Sequence, residues 1–150
     1  MGIVDNSIVT LDTNCFIYYF EDNENYADKL ELIFTKIQNG ILKANMSALS
    51  LLEILVKPKK EGNIFLENRY KLTLRNYPNL KIVDVSFDII DTAARLRATY
   101  NIRTPDAIIL ASSLYMKSNY FITNDLRLRS IGEAESINVI LLDEILQLKY

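Results

Sequence analysis

Short apolar strands alternate with helical segments along the 150-residue chain, and this alternation restricts the fold more than any other feature. The first strand, residues 7–11, is apolar or β-branched at consecutive positions, which is typical of a strand that is buried on both faces. Strands joined through helices run parallel, with helices covering both sides of the sheet. The pattern therefore predicts an α/β protein, a three-layer α/β/α sandwich with a central, mainly parallel five-stranded sheet, formed by residues 1–150 as one domain.

Capping signals and apolar spacing define the predicted elements. Ser47 and Ser86 are predicted helix caps, a helix is predicted to end before Pro58, and Thr104 is predicted to cap a helix with Pro105 at its first position. The predicted strands are residues 7–11, 41–46, 80–85, 120–123 and 137–142, and the predicted helices are residues 15–20, 26–38, 48–56, 63–76, one after Ser86 and one from 105 to about 117. In the helix after Ser86, the residues expected to face inward are Ile89, Ile90, Ala93, Ala94 and Leu96.

Composition excludes several kinds of site. Seventeen basic and nineteen acidic residues give a net charge of -2, which excludes the strongly basic footprint of a protein that coats nucleic acid but not a local basic patch. The chain has no histidine, so it has neither a Ser–His or Cys–His nucleophile pair, nor histidine-based ribonuclease chemistry, nor a His-bound zinc. The single cysteine, Cys15, excludes an internal disulfide and a Cys-rich metal knuckle.

No targeting segment is predicted from the sequence. Its first residues lack the basic region and long apolar stretch of a signal peptide. Nowhere do eighteen apolar residues follow one another, so no membrane-spanning helix is predicted. We therefore expect a cytoplasmic protein.

Four acidic residues lie where a ligand site is expected. Asp12 follows the first predicted strand and Asp125 follows the fourth, so both belong to the carboxyl edge of the sheet, where ligands bind in parallel sheets. Asp106 stands in the first turn of an apolar helix. Glu53 lies within residues 49–56, which are apolar at almost every other position and predict a helix buried on all sides. A buried carboxylate without a partner is unfavourable by several kcal/mol, so a nearby cation or carboxylate cluster would explain Glu53.

Each of these acids also has a purely structural interpretation. Asp12 and Asp125 are suitable helix caps, and Asp106 complements the dipole of its own helix. Glu53 is spaced i, i+4 from Lys57, which allows an ion pair on a helix surface.

Convergence of the four carboxylates would demand a metal ion. Carboxylates that share a low-dielectric pocket repel one another and stay ionised together only around a cation. Their oxygens suit the hard ions Mg²⁺ and Mn²⁺. Such an ion can activate water, neutralise phosphate oxygens and stabilise a leaving oxygen, so this chemistry requires no histidine.

Four motifs that contain these acids resemble, in this order, those of the PIN-domain nucleases. They are Val-Thr-Leu-Asp-Thr-Asn at 9–14, Ser-Leu-Leu-Glu-Ile-Leu at 50–55, Thr-Pro-Asp-Ala at 104–107 and Ile-Thr-Asn-Asp at 122–125. The resemblance covers the whole chain and is strongest to the VapC-type toxins of toxin–antitoxin pairs. It implies a metal-dependent endoribonuclease that leaves 5′-phosphate and 3′-hydroxyl ends, a three-layer fold, a homodimer, and an antitoxin whose segment reaches the acidic site.

The resemblance also assigns roles to individual residues. Asp12, Glu53, Asp106 and Asp125 would be the catalytic, metal-binding quartet. Side chains that orient these carboxylates would be Thr13, Asn14, Thr123 and Asn124. Positive charges that neighbour the motifs are candidates for contacts with RNA phosphates, although each also fits an ordinary solvated charge. These candidates are Lys57, Lys59, Lys60, Arg103, Arg127 and Arg129.

Two other functions fit the same pattern. The first is a PIN nuclease that acts in RNA maturation rather than as a toxin. The second is a non-catalytic binding module with an acidic pocket, similar to receiver domains. This hypothesis predicts a lysine in the loop after the last strand. That loop holds Leu-Leu-Asp-Glu at residues 141–144 instead.

Overall fold

A computed structural model describes residues 2–145 and shows a five-stranded sheet in which every neighbouring pair of strands is parallel. The order across the sheet is β3-β2-β1-β4-β5. This architecture confirms the predicted α/β class with a central parallel sheet. The strands are β1 (Ile8–Leu11), β2 (Lys43–Ser47), β3 (Leu80–Val83), β4 (Tyr120–Thr123) and β5 (Asn138–Leu141).

Helices cover both faces of the sheet and enclose two apolar cores. One core joins the sheet to the first four helices, and the other joins it to the last three. No helix among residues 2–145 combines the length and apolar character that a membrane crossing needs. The helices are α1 (Thr13–Phe20), α2 (Ala27–Gln38), α3 (Ala48–Lys60), α4 (Ile64–Asn76), α5 (Phe87–Tyr100), α6 (Thr104–Tyr115) and α7 (Leu128–Ala134), followed by a 3₁₀ turn (Leu142–Glu144).

The strand order changes direction at β1, and this change creates the ligand crevice. The chain first builds outward from β1 to β2 and β3, then returns to place β4 on the other side of β1. Thr10 on β1 is paired with Asn45 on β2 and with Phe121 on β4. In open parallel sheets, ligands bind beyond the carboxyl ends of the strands at such a reversal. The residues that follow β1 and β4 are therefore adjacent at the position where a site is expected.

Two predicted helix caps are confirmed by their hydrogen bonds. The Ser47 hydroxyl accepts from the backbone N–H of Leu49 at 3.1 Å, and the Ser86 hydroxyl accepts from the N–H of Ile89 at 3.3 Å. Both satisfy N–H groups that a helix leaves unpaired in its first turn.

The prediction that a helix ends before Pro58 is wrong, because α3 continues through Pro58 to Lys60. A proline in the last turn removes one hydrogen bond, to the carbonyl of the residue four positions earlier. The Pro58 ring is buried, and its carbonyl oxygen accepts from the N–H of Asn63 at 2.9 Å. Three lysines in this last turn also complement the helix dipole. Packing and charge thus outweigh one lost hydrogen bond.

The start of α6 and the inner face of α5 also differ from prediction. Arg103, not Thr104, holds the cap position, and Thr104 is the first helical residue. The Thr104 hydroxyl is engaged elsewhere, because it accepts from Nη1 of Arg97 at 2.9 Å. On α5, Ile90 and Ala94 are exposed although they were expected to face inward, because α6 and α7 cover only one side of this helix.

Helix α7 has no counterpart in the predicted elements. It is seven residues long, and it buries Leu128 and Ile131 at i, i+3 spacing. Gly132 lies inside it, where a glycine lowers helix propensity by about 1 kcal/mol relative to alanine. A short helix that contains glycine has too weak a periodic signal to be recognised from sequence.

Candidate active site

Asp12 is the most constrained acid of the site. It follows β1 directly, is 8% exposed, and serves as the N-cap of α1. Its Oδ1 accepts from the backbone N–H of Thr13 at 2.8 Å, and its Oδ2 accepts from the hydroxyl of Thr123 at 2.7 Å. The capping role considered for Asp12 is therefore real, but it uses only one of the two oxygens. Both oxygens are held in a fixed orientation, one by the start of α1 and the other by the end of β4.

The surroundings of Asp12 disfavour its charge. Burial raises the pKa of Asp12 from 3.8 to about 6, against the two hydrogen bonds from Thr123 and Thr13, which lower it. The carboxylates of Asp106 and Glu53 raise this pKa further. Three of the four predicted acids thus share one electrostatic environment, in which a cation would be favoured.

Glu53 is connected to Asp12 through Thr13. The hydroxyl of Thr13 donates to Oε1 of Glu53 at 2.7 Å, while the backbone N–H of the same residue donates to Asp12. The hydroxyl of Ser50 lies 2.9 Å from that of Thr13. Sequence reasoning did not single out Ser50, although its position three residues before Glu53 places both on one helix face.

The structure differs from the expected burial around Glu53 and from its alternative structural interpretation. Helix α3 is not buried on all sides, since Leu52 is 58% and Val56 is 42% exposed, and Glu53 itself is half-buried. Exposed apolar residues on α3 account for the continuous apolar segment that suggested complete burial. The alternative ion pair with Lys57 is also absent from the described contacts, because Lys57 binds Glu21 at 2.9 Å.

Arginine side chains hold the other two acids. Nε of Arg103 lies 3.2 Å from Oδ2 of Asp106 in the first turn of α6. Arg127 contacts both oxygens of Asp125, with Nη2 2.6 Å from Oδ2 and Nε 3.0 Å from Oδ1. The hydrogen bond from Arg127 lowers the pKa of Asp125 below its usual range, and the charge of Arg103 lowers it further. These two ion pairs therefore form one adjoining cluster.

As placed, no three carboxylate or thiol side chains among residues 2–145 form a ready metal-binding group. The donor set still fits a hard divalent ion, because buried Asp12 is destabilised as an anion by two neighbouring carboxylates and all candidate ligands are oxygens. Release of Asp106 and Asp125 by their arginines would add two further donors. The oxygen atoms and the negative charge of these side chains thus suit a divalent ion.

The remaining predicted residues fall into two groups. Thr13 and Thr123 contact the carboxylates directly, whereas Nδ2 of Asn124 lies 3.4 Å from the hydroxyl of Tyr18, and no described hydrogen bond joins Asn14 to the quartet. Among the six basic candidates, only Arg103 and Arg127 contact a quartet acid in the described part of the chain. Lys57 pairs with Glu21, Lys59 with Glu67 and Arg129 with Glu144, while Lys60 is exposed at the end of α3.

The three-layer fold, with an acidic site where the strand order reverses, defines a class of α/β protein. The comparison with family models identifies that class. The PIN domain family model matches residues 9–134, and the chain therefore belongs to the PIN domain family. PIN domains are generally nucleases that use divalent metal ions, and membership supports hydrolase activity. The comparison with curated protein sequences gives no match.

Solved structures with the same fold include chains of several toxin–antitoxin complexes. A toxin–antitoxin complex from Klebsiella pneumoniae has 23% identity and a TM-score of 0.68, covering 89% of this chain and 97% of the other. VapBC2 from Rickettsia felis, bound to a DNA fragment from its promoter, has 20% identity and a TM-score of 0.65, covering 89% and 98%. VapBC-1 from nontypeable Haemophilus influenzae has 17% identity and a TM-score of 0.68, covering 91% and 99%. These similarities support the fold.

Proposed function

We propose that this protein is a metal-dependent endoribonuclease that hydrolyses RNA phosphodiester bonds and acts as the toxin of a toxin–antitoxin pair. The observation that carries the proposal is buried Asp12, oriented at both oxygens and electrostatically coupled to Glu53 and Asp106 at the switch point of the sheet. Membership in the PIN family supports a nuclease over an acidic-pocket binding module.

The quartet of Asp12, Glu53, Asp106 and Asp125 would hold Mg²⁺ or Mn²⁺. When bound, the ion supplies Lewis-acid chemistry, by lowering the pKa of water and neutralising phosphate oxygens. Thr123 and the N–H of Thr13 orient Asp12, and the hydroxyl of Thr13 orients Glu53. Because Thr123 ends β4 and Thr13 begins α1, the carboxylates of Asp12 and Glu53 would be oriented before substrate arrives.

Arg103 and Arg127 are suited to contact the RNA backbone. Their side chains are 69% and 71% exposed, although each is paired with a carboxylate. A guanidinium released from its carboxylate presents two N–H groups in the geometry that phosphate accepts. We propose that both residues exchange a carboxylate partner for a phosphate oxygen when metal and RNA bind.

Cleavage of RNA by the purified chain tests the proposal. We expect endonucleolytic cleavage of single-stranded RNA with Mg²⁺ or Mn²⁺, none with EDTA, and products with 5′-phosphate ends. Asp12→Asn keeps the size of the side chain but removes its charge, and it should lower the cleavage rate by at least about a hundredfold.

Asp91→Asn is the matched control, because Asp91 is an exposed carboxyl in the middle of α5. It should cleave at the wild-type rate. Equal cleavage by wild type and Asp12→Asn, or no cleavage by wild type across a broad set of RNAs, would contradict the proposed function.

The partners of the toxin follow from the same proposal. The neighbouring structures are of complexes between toxins and antitoxins, which supports an antitoxin that covers the acidic site of this chain. The family resemblance favours a homodimer, and an RNA substrate favours action in the cytoplasm. A role in RNA maturation instead of toxicity would show as cleavage confined to a precursor RNA, without growth arrest on expression.

A further inference from the structure

A cavity of about 380 Å³ adjoins the candidate active site. It lies between the end of α5, the start of α6 and α7, and Asp106 of the acidic quartet forms part of its lining. A volume of this size falls within the range of small-molecule sites in proteins. The cavity is therefore large enough for one nucleobase with its ribose.

The walls of the cavity combine apolar and polar surfaces. Ile102, Leu128 and Ile131 supply apolar surface, and Tyr100 is the aromatic residue of the lining. The hydroxyl of Tyr100 donates to Oε2 of Glu135 at 2.5 Å, which fixes the orientation of the ring. A planar, weakly polar ligand such as a nucleobase matches a wall of this kind, because bases stack on aromatic side chains.

Positive charge and hydrogen-bonding groups complete the lining. Arg103 and Arg127 both line the cavity, and both also contact acids of the quartet. Asn101 and Ser130 add polar groups that can recognise the edge of a base. The two arginines thus line the cavity and also contact the acidic site, so they can reach the phosphate that links a bound nucleotide to the cleaved bond.

We propose that this cavity is a nucleotide subsite that receives the base adjoining the cleaved phosphodiester bond. The inference rests on the proposed ribonuclease function and assigns to it a base-binding element. Arg103 and Arg127 contact the phosphate, Tyr100 and the apolar residues pack against the base, and Asn101 and Ser130 discriminate between bases. The subsite makes cleavage depend on the base at one position.

Binding of the four ribonucleoside 5′-monophosphates, followed by NMR in the presence of Mg²⁺, tests the subsite without any cleavage. Saturable binding should shift the amide signals of Tyr100, Ile102 and Ser130. Ser130→Phe places a bulky ring at the exposed lining position of α7, and it should weaken the dissociation constant by at least about tenfold.

Ala134→Phe is the matched control, because it adds the same ring at an exposed position of α7 that does not line the cavity. It should bind nucleotides as wild type does. Thermal unfolding of both variants near the wild-type midpoint shows that the added ring leaves the fold intact.

The outcomes separate the subsite from the proposed function. Nucleotide shifts outside the cavity, no saturable binding, or unchanged affinity in Ser130→Phe would overturn the subsite, even if the wild type cleaves RNA. Saturable binding in the cavity by a protein that cleaves no RNA would support the subsite as a nucleotide site and overturn the ribonuclease. If the wild type does cleave, Ser130→Phe should lose base preference at one position and raise KM more than it lowers kcat.

Discussion

At the scale of single residues, Asp12 has two roles: it caps a helix, and it is the buried carboxyl of the candidate active site. One of its oxygens caps α1, and the other is held by Thr123 from β4. The same burial that orients the side chain raises its pKa to about 6. An ionised Asp12 is therefore a source of instability in the metal-free protein near neutral pH.

Asp12→Asn should stabilise the metal-free protein above pH 6. A carboxyl with a raised pKa stabilises the fold below its unfolded value of 3.8, and this contribution is lost as the pH rises through about 6. The asparagine is neutral throughout. Its single oxygen can keep the bond from the N–H of Thr13, while its amide N–H would donate to the Thr123 hydroxyl, which no longer donates to residue 12. At pH 7.5 the variant should be more stable by up to about 3 kcal/mol, since one pKa unit corresponds to about 1.4 kcal/mol.

Urea unfolding in EDTA at pH 7.5 and at pH 4 measures this difference. The gain should disappear at pH 4, where the wild-type carboxyl is already protonated. A variant that is less stable than wild type at pH 7.5 would contradict the inference that ionised Asp12 destabilises the metal-free fold.

Individual site residues differ in how far the sequence predicts them. Asp12 and Asp125 are placed at the correct edge because both directly follow strands that are recognisable from their apolar pattern. The apolar pattern around Glu53 predicts a helix buried on all sides, which is wrong, although Glu53 does contact Thr13 at the site. The pairing of Arg127 with Asp125 and of Arg103 with Asp106 depends on local side-chain geometry, which a linear pattern does not determine.

At the scale of elements, α7 depends on a close approach between its glycine and β5. A Cβ at Gly132 would overlap Cγ2 of Val139 and lie 3.1 Å from the carbonyl oxygen of Ile137. Gly132 therefore permits α7 to pack directly on β5, against the usual preference for alanine in a helix. This packing holds one wall of the cavity beside Asp106 in place.

Gly132→Ala should destabilise the protein by about 1–3 kcal/mol, the usual consequence of overpacking a core. The double variant with Val139→Ala should lose less stability than the two single changes add up to, because the truncated valine makes room for the new methyl group. Urea unfolding of the four proteins measures the coupling. Additive losses would contradict a direct contact between these positions.

Elements with strong local signals were predicted well, and elements that depend on packing were not. Strand β4 and the capped starts of α3 and α5 follow from apolar runs and from Ser47 and Ser86. The passage of α3 through Pro58 and the existence of α7 depend on contacts with distant parts of the chain. Such contacts override local propensity and leave no periodic signal.

At the scale of the whole molecule, the strand order places Asp12 and Asp125, which are more than a hundred residues apart in the chain, after neighbouring strands at one edge of the sheet. The chain places α1–α4 on one face of the sheet and α5–α7 on the other, so β1 and β4 become neighbours at the reversal. The parallel direction of the strands could be predicted from the alternation of strands and helices alone. The order of strands could not, because several orders satisfy the same alternation.

Divalent metal should raise the thermal stability of the whole domain. A ligand that binds only the folded state stabilises it by about 2.7 kcal/mol at a concentration one hundred times its dissociation constant, which corresponds to roughly 5–10 °C for a chain of this length. The increase with Mn²⁺ should be lost in Asp12→Asn. It should be larger in Arg127→Met, because this change frees Asp125 from its ion pair.

Differential scanning calorimetry with Mn²⁺ and with EDTA measures these shifts. Arg129→Met is the matched control, because Arg129 pairs with Glu144 and contacts no quartet acid in the described chain. A wild-type midpoint that does not respond to Mn²⁺ would contradict metal binding at this site.

The two hydrogen bonds that hold Asp12 have a consequence for which inactivating mutations leave a folded protein. An amide at this position keeps the bond from the N–H of Thr13, meets the Thr123 hydroxyl as a donor and removes an unfavourable charge, so the substituted polypeptide should accumulate in the cell at least as well as the wild type. Under the proposed toxin function, mutations at this codon would leave a stable, inactive protein that still binds its antitoxin, and selection against toxicity should recover them repeatedly.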